Sequence, residues 1–248
     1  MMDLPGTPSD DLPHVLANGR TDALVAFVSM SARQPGGRDA EYIEWHSLDH
    51  RPEQYRLPGL RGSLRVVSTP SCRAARSAST PRFDPVDHIM IYLFTDRSCL
   101  SNFAALGAAL AAGGRMPLRL PKVEYGTYQL SGTAARPSAV VGADVIPWRP
   151  ARGVYVIVEQ GTTSAAELVN VAGVAGSWWY RGFPTLEFGS TAPEDLQLTL
   201  LYLDDDPVET AHRLRAELKE RWSTGSTIPL LAAPFHTLTP YQWSKYLP

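Results

Sequence analysis

Apolar positions recur along the chain in two patterns, short runs of strand length and longer segments with helical spacing. Short apolar runs that include β-branched residues predict strands, and longer segments between polar caps predict helices. The predicted strands span residues 24–30, 60–69, 86–95, 123–130, 154–159, 175–183, 196–203 and 230–238. Predicted helices occupy about residues 40–51 and 164–171, the segment from Asp96 to Gly113-Gly114, and residues 207–222. The order β-α-β-β-α-β therefore occurs twice.

Several polar residues and prolines predict where these helices begin and end. Asp39, Asp96 and Asp206 each stand at the N-cap position of a predicted helix, and Pro207 follows as a first-turn proline. Pro52 disfavours helical geometry at Arg51, so the first helix should end or kink there. Residues 70–82 carry three arginines among small residues and are predicted to be a loop without structure of its own, either a lid or disordered.

The two halves also share local sequence. Gly59-Leu60-Arg61-Gly62-Ser63 matches residues 173–177, and residues 89–96 match residues 198–205, in corresponding predicted elements. We interpret this as an internal duplication. Each β-α-β-β-α-β half is a ferredoxin-like unit, with helices on one face of a four-stranded antiparallel sheet. The predicted fold class is α+β, with two tandem ferredoxin-like units packed sheet to sheet as an intrachain α+β barrel.

Composition sets the domain boundaries and excludes several classes of function. Residues 1–20 are predicted to be an irregular arm, 21–133 the first unit, 134–152 a linker and 153–248 the second unit. The 23 basic and 25 acidic side chains give a formal net charge of −2. That balance argues against a nucleic-acid or acidic-membrane binder, which needs a basic excess. With two cysteines, no signal-peptide pattern and no long apolar run, we expect a cytoplasmic protein.

One stretch carries a family resemblance. Tyr42, Trp45, Asp49-His50 and Pro52-Glu53, followed by Pro58-Gly59, resemble the first-helix signature of the dimeric α+β barrel superfamily, in its EthD-like branch. That superfamily includes cofactor-independent polyketide cyclases, monooxygenases and muconolactone isomerases, together with haem-binding chlorite dismutase-like enzymes. The resemblance implies a pocket for a small molecule but does not select the reaction.

From the resemblance and the residues we expect a cofactor-independent cyclase, isomerase, lyase or oxygenase, acting on a small apolar, aromatic or polyketide-like molecule. A non-catalytic ligand carrier or accessory protein is the alternative, and haem binding with a histidine axial ligand is a third. We expect no cofactor and a small-molecule ligand as partner. Because a duplicated chain can close its own barrel, either a monomer or a homodimer is possible.

Helical spacing of 100° per residue places the ionisable residues of the first helix on one face, with Trp45 at its edge. The predicted catalytic residues are His50 as acid/base, His46, and Asp49 as the carboxylate that orients His50. The predicted substrate-binding residues are Tyr42, Trp45, Glu53, Arg65, His88 and Tyr92. The second half has neither histidine nor tryptophan in its first helix, so catalysis is expected in the first half.

Structural interpretations of the same residues remain open. His50 could cap the helix, and His88 could lie in solvent at the edge of its strand rather than face the helices. Arg65 could hold an anionic group of the substrate or pair with a surface carboxylate. The spacing of His46 and His50 would suit two metal ligands, but no third ligand is indicated by the sequence.

Overall fold

The computed structural model describes residues 22–190 and 192–248, so the predicted arm at residues 1–20 lies outside it. The strands are β1 Val25–Ser31, β2 Leu60–Val67, β3 Ala78–Ser79, β4 His88–Phe94, β5 Lys122–Ala135, β6 Gly153–Gln160, β7 Val174–Gly182, β8 Leu196–Leu203 and β9 Ile228–Thr237. The α-helices are α1 Asp39–Trp45, α2 Arg51–Gln54, α3 Pro70–Ala74, α4 Cys99–Ala112 and α5 Pro207–Ser223, and a π-helical turn, His46–His50, joins α1 to α2. Within these residues, no helix is long and apolar enough to cross a membrane.

Eight antiparallel strands form a closed barrel, in the order β2-β4-β1-β5-β7-β8-β6-β9, and β9 pairs back to β2. Each half contributes four neighbouring strands, and within each half the spatial order is second, third, first, fourth. The β5–β7 and β2–β9 pairings join the two half-sheets. The predicted α+β barrel is confirmed.

Strand alternation sends one apolar set into the barrel and the other outward. On β4, Ile89, Ile91 and Leu93 belong to the interior cluster, whereas Met90 and Tyr92 pack in a separate cluster on the outer face. The interior is filled by side chains from all eight barrel strands, including the fully buried Trp178, Tyr180 and Phe235. Burying each large apolar side chain contributes about 1.5–3 kcal/mol, so this packed interior is the main source of stability.

The outer face of the second half is covered by α5. Leu214 and Leu218 of this helix are fully buried and belong to one cluster with Tyr155 and Ile157 of β6. Asp206 caps α5 as predicted, because its carboxylate accepts hydrogen bonds from the backbone N–H groups of residues 208 and 209. This half is therefore closely packed on both sides of its sheet.

The two halves have the same backbone features at corresponding positions. Gly59 before β2 and Gly173 before β7 both have positive φ, 81° and 95°. Each following strand has a β-bulge, between Leu60 and Gly62 and between Val174 and Gly176. The first sequence match falls on these turns and the second on β4 and β8, so both lie in corresponding elements; an internal duplication remains a prediction.

Several local predictions are wrong. Asp39 is the first residue of α1 and makes no cap, and α4 begins at Cys99 without a side-chain cap from Asp96. Residues 70–82 are not a structureless loop, since they form α3 and β3, and β3 pairs with β9. The helix predicted over residues 164–171 is a single 3₁₀ turn, Glu167–Asn170.

Candidate functional site

A cavity of about 380 Å³ lies on the outer face of the first half-sheet, beneath α1, the π-helical turn and α4. We call it the outer cavity. Its walls come from β1, β2, β4 and β5, from the helices, from the segment after α4, and from a loop of the second half that contributes Phe188. The residues predicted from sequence that line it are Tyr42, Trp45, His46, His50, Arg65 and Tyr92.

Aromatic rings form one side of the outer cavity. Phe27 of β1 stacks on Phe188 with ring centroids 4.3 Å apart, and Tyr92 of β4 meets Phe103 of α4 at 4.7 Å. Tyr125 packs edge-on to Phe27 at 5.6 Å. Such a surface favours a flat, largely apolar ligand, because aromatic rings prefer offset or edge-to-face contacts with one another.

The π-helical turn determines which side chains of the first helix reach the cavity. Its backbone N–H at Arg51 bonds to the carbonyl of His46, five residues earlier. The wider turn accommodates Pro52, which has no N–H and whose ring would clash with a carbonyl four residues earlier in a regular helix. The helix thus continues past Arg51 to Gln54 instead of ending there, and Gln54 rather than Glu53 lines the cavity.

Hydrogen bonds connect the two imidazoles of the cavity to neutral polar partners. His46 Nε2 lies 3.2 Å from the Tyr92 hydroxyl, and Gln54 Nε2 lies 3.0 Å from His50 Nε2. The His46 and His50 rings are 5.3 Å apart between centroids, and Trp45 stacks on His50 at 5.2 Å. Both histidines are almost completely buried, so this network is held within the protein.

Burial and nearby positive charge keep both imidazoles neutral. Burial lowers the pKa of His46 well below its usual value, and the charges of Arg65, His50 and Arg51 lower it further. The pKa of His50 is also lowered, first by burial and then by Arg65, while Asp49 opposes the shift. Burial raises the pKa of the Tyr92 hydroxyl, which therefore stays protonated. At neutral pH both rings can accept a proton.

Arg65 supplies a buried positive charge for which the described part of the chain provides no counterion. The residue is 4% exposed, and its guanidinium donates to the Tyr42 hydroxyl at 3.1 Å and lies 5.0 Å from the centre of that ring. No carboxylate of the described residues pairs with it, and its buried Nε has no hydrogen-bond partner there. Because a buried charge is costly when unpaired, this arrangement favours an anionic group in the ligand.

His88 lies outside the outer cavity, and the interpretation that it is solvent-exposed at a strand edge is wrong. Its side chain is fully buried, and Nε2 bonds to the Asp39 carboxylate at 2.8 Å. Asp39 also accepts from the backbone N–H of Gln34 at 2.8 Å. Burial raises the pKa of Asp39, but these hydrogen bonds outweigh burial, and the net pKa is lowered. The hydrogen bond between Asp39 and His88 links α1 to β4, and its position indicates a structural role.

The structure does not bring Asp49 and Glu53 to the cavity. Asp49 pairs with Arg115 near the surface, and Glu53 pairs with Arg56 at 3.0 Å. Neither carboxylate therefore orients His50, and Gln54 occupies that place. Gln54 follows His50 by four residues and so lies close to it on a regular helix as well, but its neutral amide was not among the ionisable and aromatic side chains that were predicted. Phe27, Phe103 and Phe188 were missed because nothing in their local patterns distinguishes them from core residues.

The cavity residues do not form a metal-binding group. Within residues 22–190 and 192–248, no three His, Cys, Asp or Glu side chains come together in this way. The Nε2 atoms of His46 and His50 are hydrogen-bonded to Tyr92 and Gln54.

Comparison with known proteins supports the fold. No family model matches the chain, and no curated protein matches it. Among solved structures, a proposed monooxygenase from Fusobacterium nucleatum superimposes with a TM-score of 0.52 at 8% identity, covering 87% of this chain and 92% of that one. An anthrone oxidase-like protein gives 0.47 at 11% identity, covering 87% and 91%, and a dye-decolorizing protein from V. cholerae gives 0.47 at 12% identity, covering 91% and 97%. The first of these matches covers most of this chain. At 8% sequence identity it supports the fold alone.

Proposed function

We propose that the protein is a cofactor-independent enzyme that acts on a small, largely apolar aromatic or polyketide-like molecule in the outer cavity. The observation that carries this proposal is one aromatic cavity that holds two neutral imidazoles and a buried guanidinium, with which no carboxylate of the described residues pairs. Cyclisation, isomerisation, elimination and oxygenation of such molecules can all begin with removal of a proton from carbon or oxygen.

The proposed chemical step is a proton transfer to His50. An acidic O–H, or a C–H next to a carbonyl, loses its proton to the neutral imidazole, and the electron pair remains on the substrate as a phenolate or enolate. The product pair is an imidazolium and an oxyanion, and Arg65 stabilises the oxyanion charge in a site of low dielectric constant. Returning the proton to a different atom of the substrate completes an isomerisation or an elimination.

Gln54 suits this role because its amide carries both a donor and an acceptor. Rotating the amide by half a turn lets it donate to His50 Nε2 or accept from it, so the ring is supported in either tautomer. Tyr42 holds the Arg65 guanidinium, and Trp45 stacks on His50 and limits its movement. We assign His46 to the support of His50 through the shared network with Tyr92 and Gln54.

The proposal is tested by turnover of a panel of polycyclic phenols and β-diketones, with products identified by mass spectrometry. His50→Ala is expected to lower kcat at least about 100-fold. His212→Ala, which removes an exposed histidine of α5, is the matched control and should leave kcat unchanged.

Two outcomes of the same experiment would contradict the enzyme proposal. Tight binding of panel members without chemical change would support the carrier alternative. A haem absorption band in the purified protein that is lost with one histidine substitution would support haem binding.

The finer points of classification are also proposals. The signature from Tyr42 to Gly59 supports placement in the EthD-like branch, and the matched turns support an internal duplication. We further propose a cytoplasmic protein. Since the chain closes its own barrel, we propose that it works as a monomer, with a homodimer as the alternative that light scattering would detect.

A further inference from the structure

A second cavity, of about 320 Å³, lies beside the outer cavity at the end of the barrel. Three groups of residues bound it, from the π-helical turn and α2, from β2, and from the end of β9 and the segment after it: Ser47, Leu48 and Arg51; Ser63, Leu64 and Arg65; and Thr237, Leu238, Pro240, Tyr241 and Trp243. We call it the tail groove. Among the described residues Arg65 is the one side chain that lines both cavities.

The tail groove is positively charged in a protein whose net charge is −2. Arg51 and Arg65 both line it, and no described aspartate or glutamate does. The carboxylates nearest in sequence are already engaged, because Asp49 pairs with Arg115 and Glu53 pairs with Arg56. No carboxylate of the described residues pairs with Arg51 or Arg65, and both arginines line this one concave site, which favours a ligand with a carboxylate.

The rest of the tail groove is apolar and aromatic. Trp243 and Tyr241 lie 5.7 Å apart between ring centroids, and Leu64 of β2 and Leu238 also line the groove. Tyr241 has a positive φ of 62°, an uncommon conformation for a residue other than glycine, so the tail is held in a specific shape here. Ser47 adds a buried hydroxyl without a hydrogen-bond partner among the described residues.

We propose that the tail groove is a second ligand site, which binds a small aromatic carboxylate. The carboxylate would lie between the guanidiniums of Arg51 and Arg65, and the ring would lie against Trp243 and the leucines. The volume is in the range of small-molecule sites, and a few polar groups in an otherwise apolar wall are typical of them. This inference does not depend on the reaction proposed for the outer cavity.

The test is calorimetric titration with 2-naphthoate in a Gly107→Phe background, in which the added ring obstructs the outer cavity. Gly107 lines that cavity, and a Cβ placed there meets no atom within 4 Å, so a larger side chain has space to enter. Ala111→Phe, on the same helix and also in the cavity lining, is the second choice should Gly107→Phe not fold. We expect one molecule of 2-naphthoate per chain.

Two matched arginine variants locate the bound naphthoate. Arg51→Gln is expected to weaken binding at least tenfold, while Arg56→Gln, which removes an equal charge outside the groove, should change it less than twofold. Trp243→Ala should also weaken binding. The uncharged analogue 2-naphthylmethanol should bind at least tenfold more weakly than naphthoate. Absence of binding, equal binding of the alcohol, or equal effects of the two arginine variants would overturn the proposal.

Discussion

Arg65 is the residue on which the electrostatics of the site depend. It is buried beside two imidazoles, and its charge is among the causes that lower both of their pKa values. A positive charge near a histidine disfavours the imidazolium, so the same residue keeps the bases neutral and attracts an anion. The cost of burying it is offset only in part by Tyr42, through one hydrogen bond and a contact with the ring.

Replacing Arg65 should therefore raise the pKa values of His46 and His50. Arg65→Gln removes the positive charge and so favours the imidazolium form of both rings. Titration of the imidazole protons by NMR measures the shift. The control is Arg61→Gln, at an exposed position of the same strand where Arg61 pairs with Asp22. It should leave the pKa values of both histidines unchanged.

Asp39 is expected to contribute to stability through its contacts with His88 and the backbone of Gln34. Asp39→Ala leaves the fully buried His88 and the partly buried backbone N–H of Gln34 without this acceptor, which should lower the free energy of unfolding by about 1–3 kcal/mol. Urea denaturation measures this. Glu41→Ala, in the same helix, breaks an exposed ion pair with Arg38 and should have a much smaller effect on the free energy of unfolding. Equal losses in the two variants would contradict the structural role.

At the scale of elements, the π-helical turn is the feature that brings the cavity-lining side chains of the first helix together. It carries the first helix across Pro52 and changes which residues face the sheet, so that His46, His50 and Gln54 share the cavity. Regular helical spacing selected the two histidines, which line the cavity, and also Asp49 and Glu53, which do not. The π-helical turn arises from the proline together with the packing of the helix on the sheet. A local sequence pattern shows the proline but not the packing, so it does not predict the turn.

The N-cap of α5 is an element that the sequence predicted fully, and it has a measurable effect. Asp206→Ala removes two hydrogen bonds to the first turn and should lower the free energy of unfolding by about 1 kcal/mol, within a range of 0.5–2. Asp205→Ala, next to it, breaks only an exposed ion pair with Arg213 and should have a smaller effect. Chemical denaturation distinguishes the two.

Asp39 and Asp96 show why the same cap rule failed elsewhere. Both are acidic residues close to a helix start, as Asp206 is, but Asp39 turns inward to a histidine 49 positions away. Asp96 bonds to Ser98 before α4 begins. A long-range partner or a shift of two residues is invisible in a local pattern. The strands were predicted better, because alternation reports directly on the two faces of a sheet.

At the scale of the whole molecule, barrel closure joins the two halves and brings a loop of the second half to a site on the first. Phe188 reaches the cavity in this way, and no periodicity in the sequence indicated it. The fold class could be predicted because element order and alternation are properties of each half separately. The full cavity lining could not, because it depends on contacts between segments far apart in sequence.

Stability of the whole molecule should decrease as the pH falls below about 6.5. Burial lowers the pKa values of His46, His50, His88 and His236 in the folded state below the unfolded value of 6.5. Below that pH the unfolded chain binds more protons than the folded one, so the free energy of unfolding falls. Above pH 6.5 the contribution of these neutral histidines to the free energy of unfolding is fully present.

Urea denaturation at pH 7.5 and 5.5 measures this loss, which should be on the order of 1 kcal/mol or more. His46→Phe should reduce the difference between the two pH values, and His212→Ala, at an exposed position, should not. A free energy of unfolding that is independent of pH in this range would contradict the assignment of neutral buried histidines.

The central claim, proton transfer to His50 in the outer cavity beside Arg65, is tested most directly by the absorption spectrum of bound 4-nitrophenol. This phenol absorbs visible light strongly only when ionised. At a pH where the free phenol is protonated, we predict a nitrophenolate band in the presence of the wild-type protein. The band should disappear in Gly107→Phe and fall at least tenfold in His50→Ala. A bound phenol that stays protonated, or a band unchanged in both variants, would contradict the account.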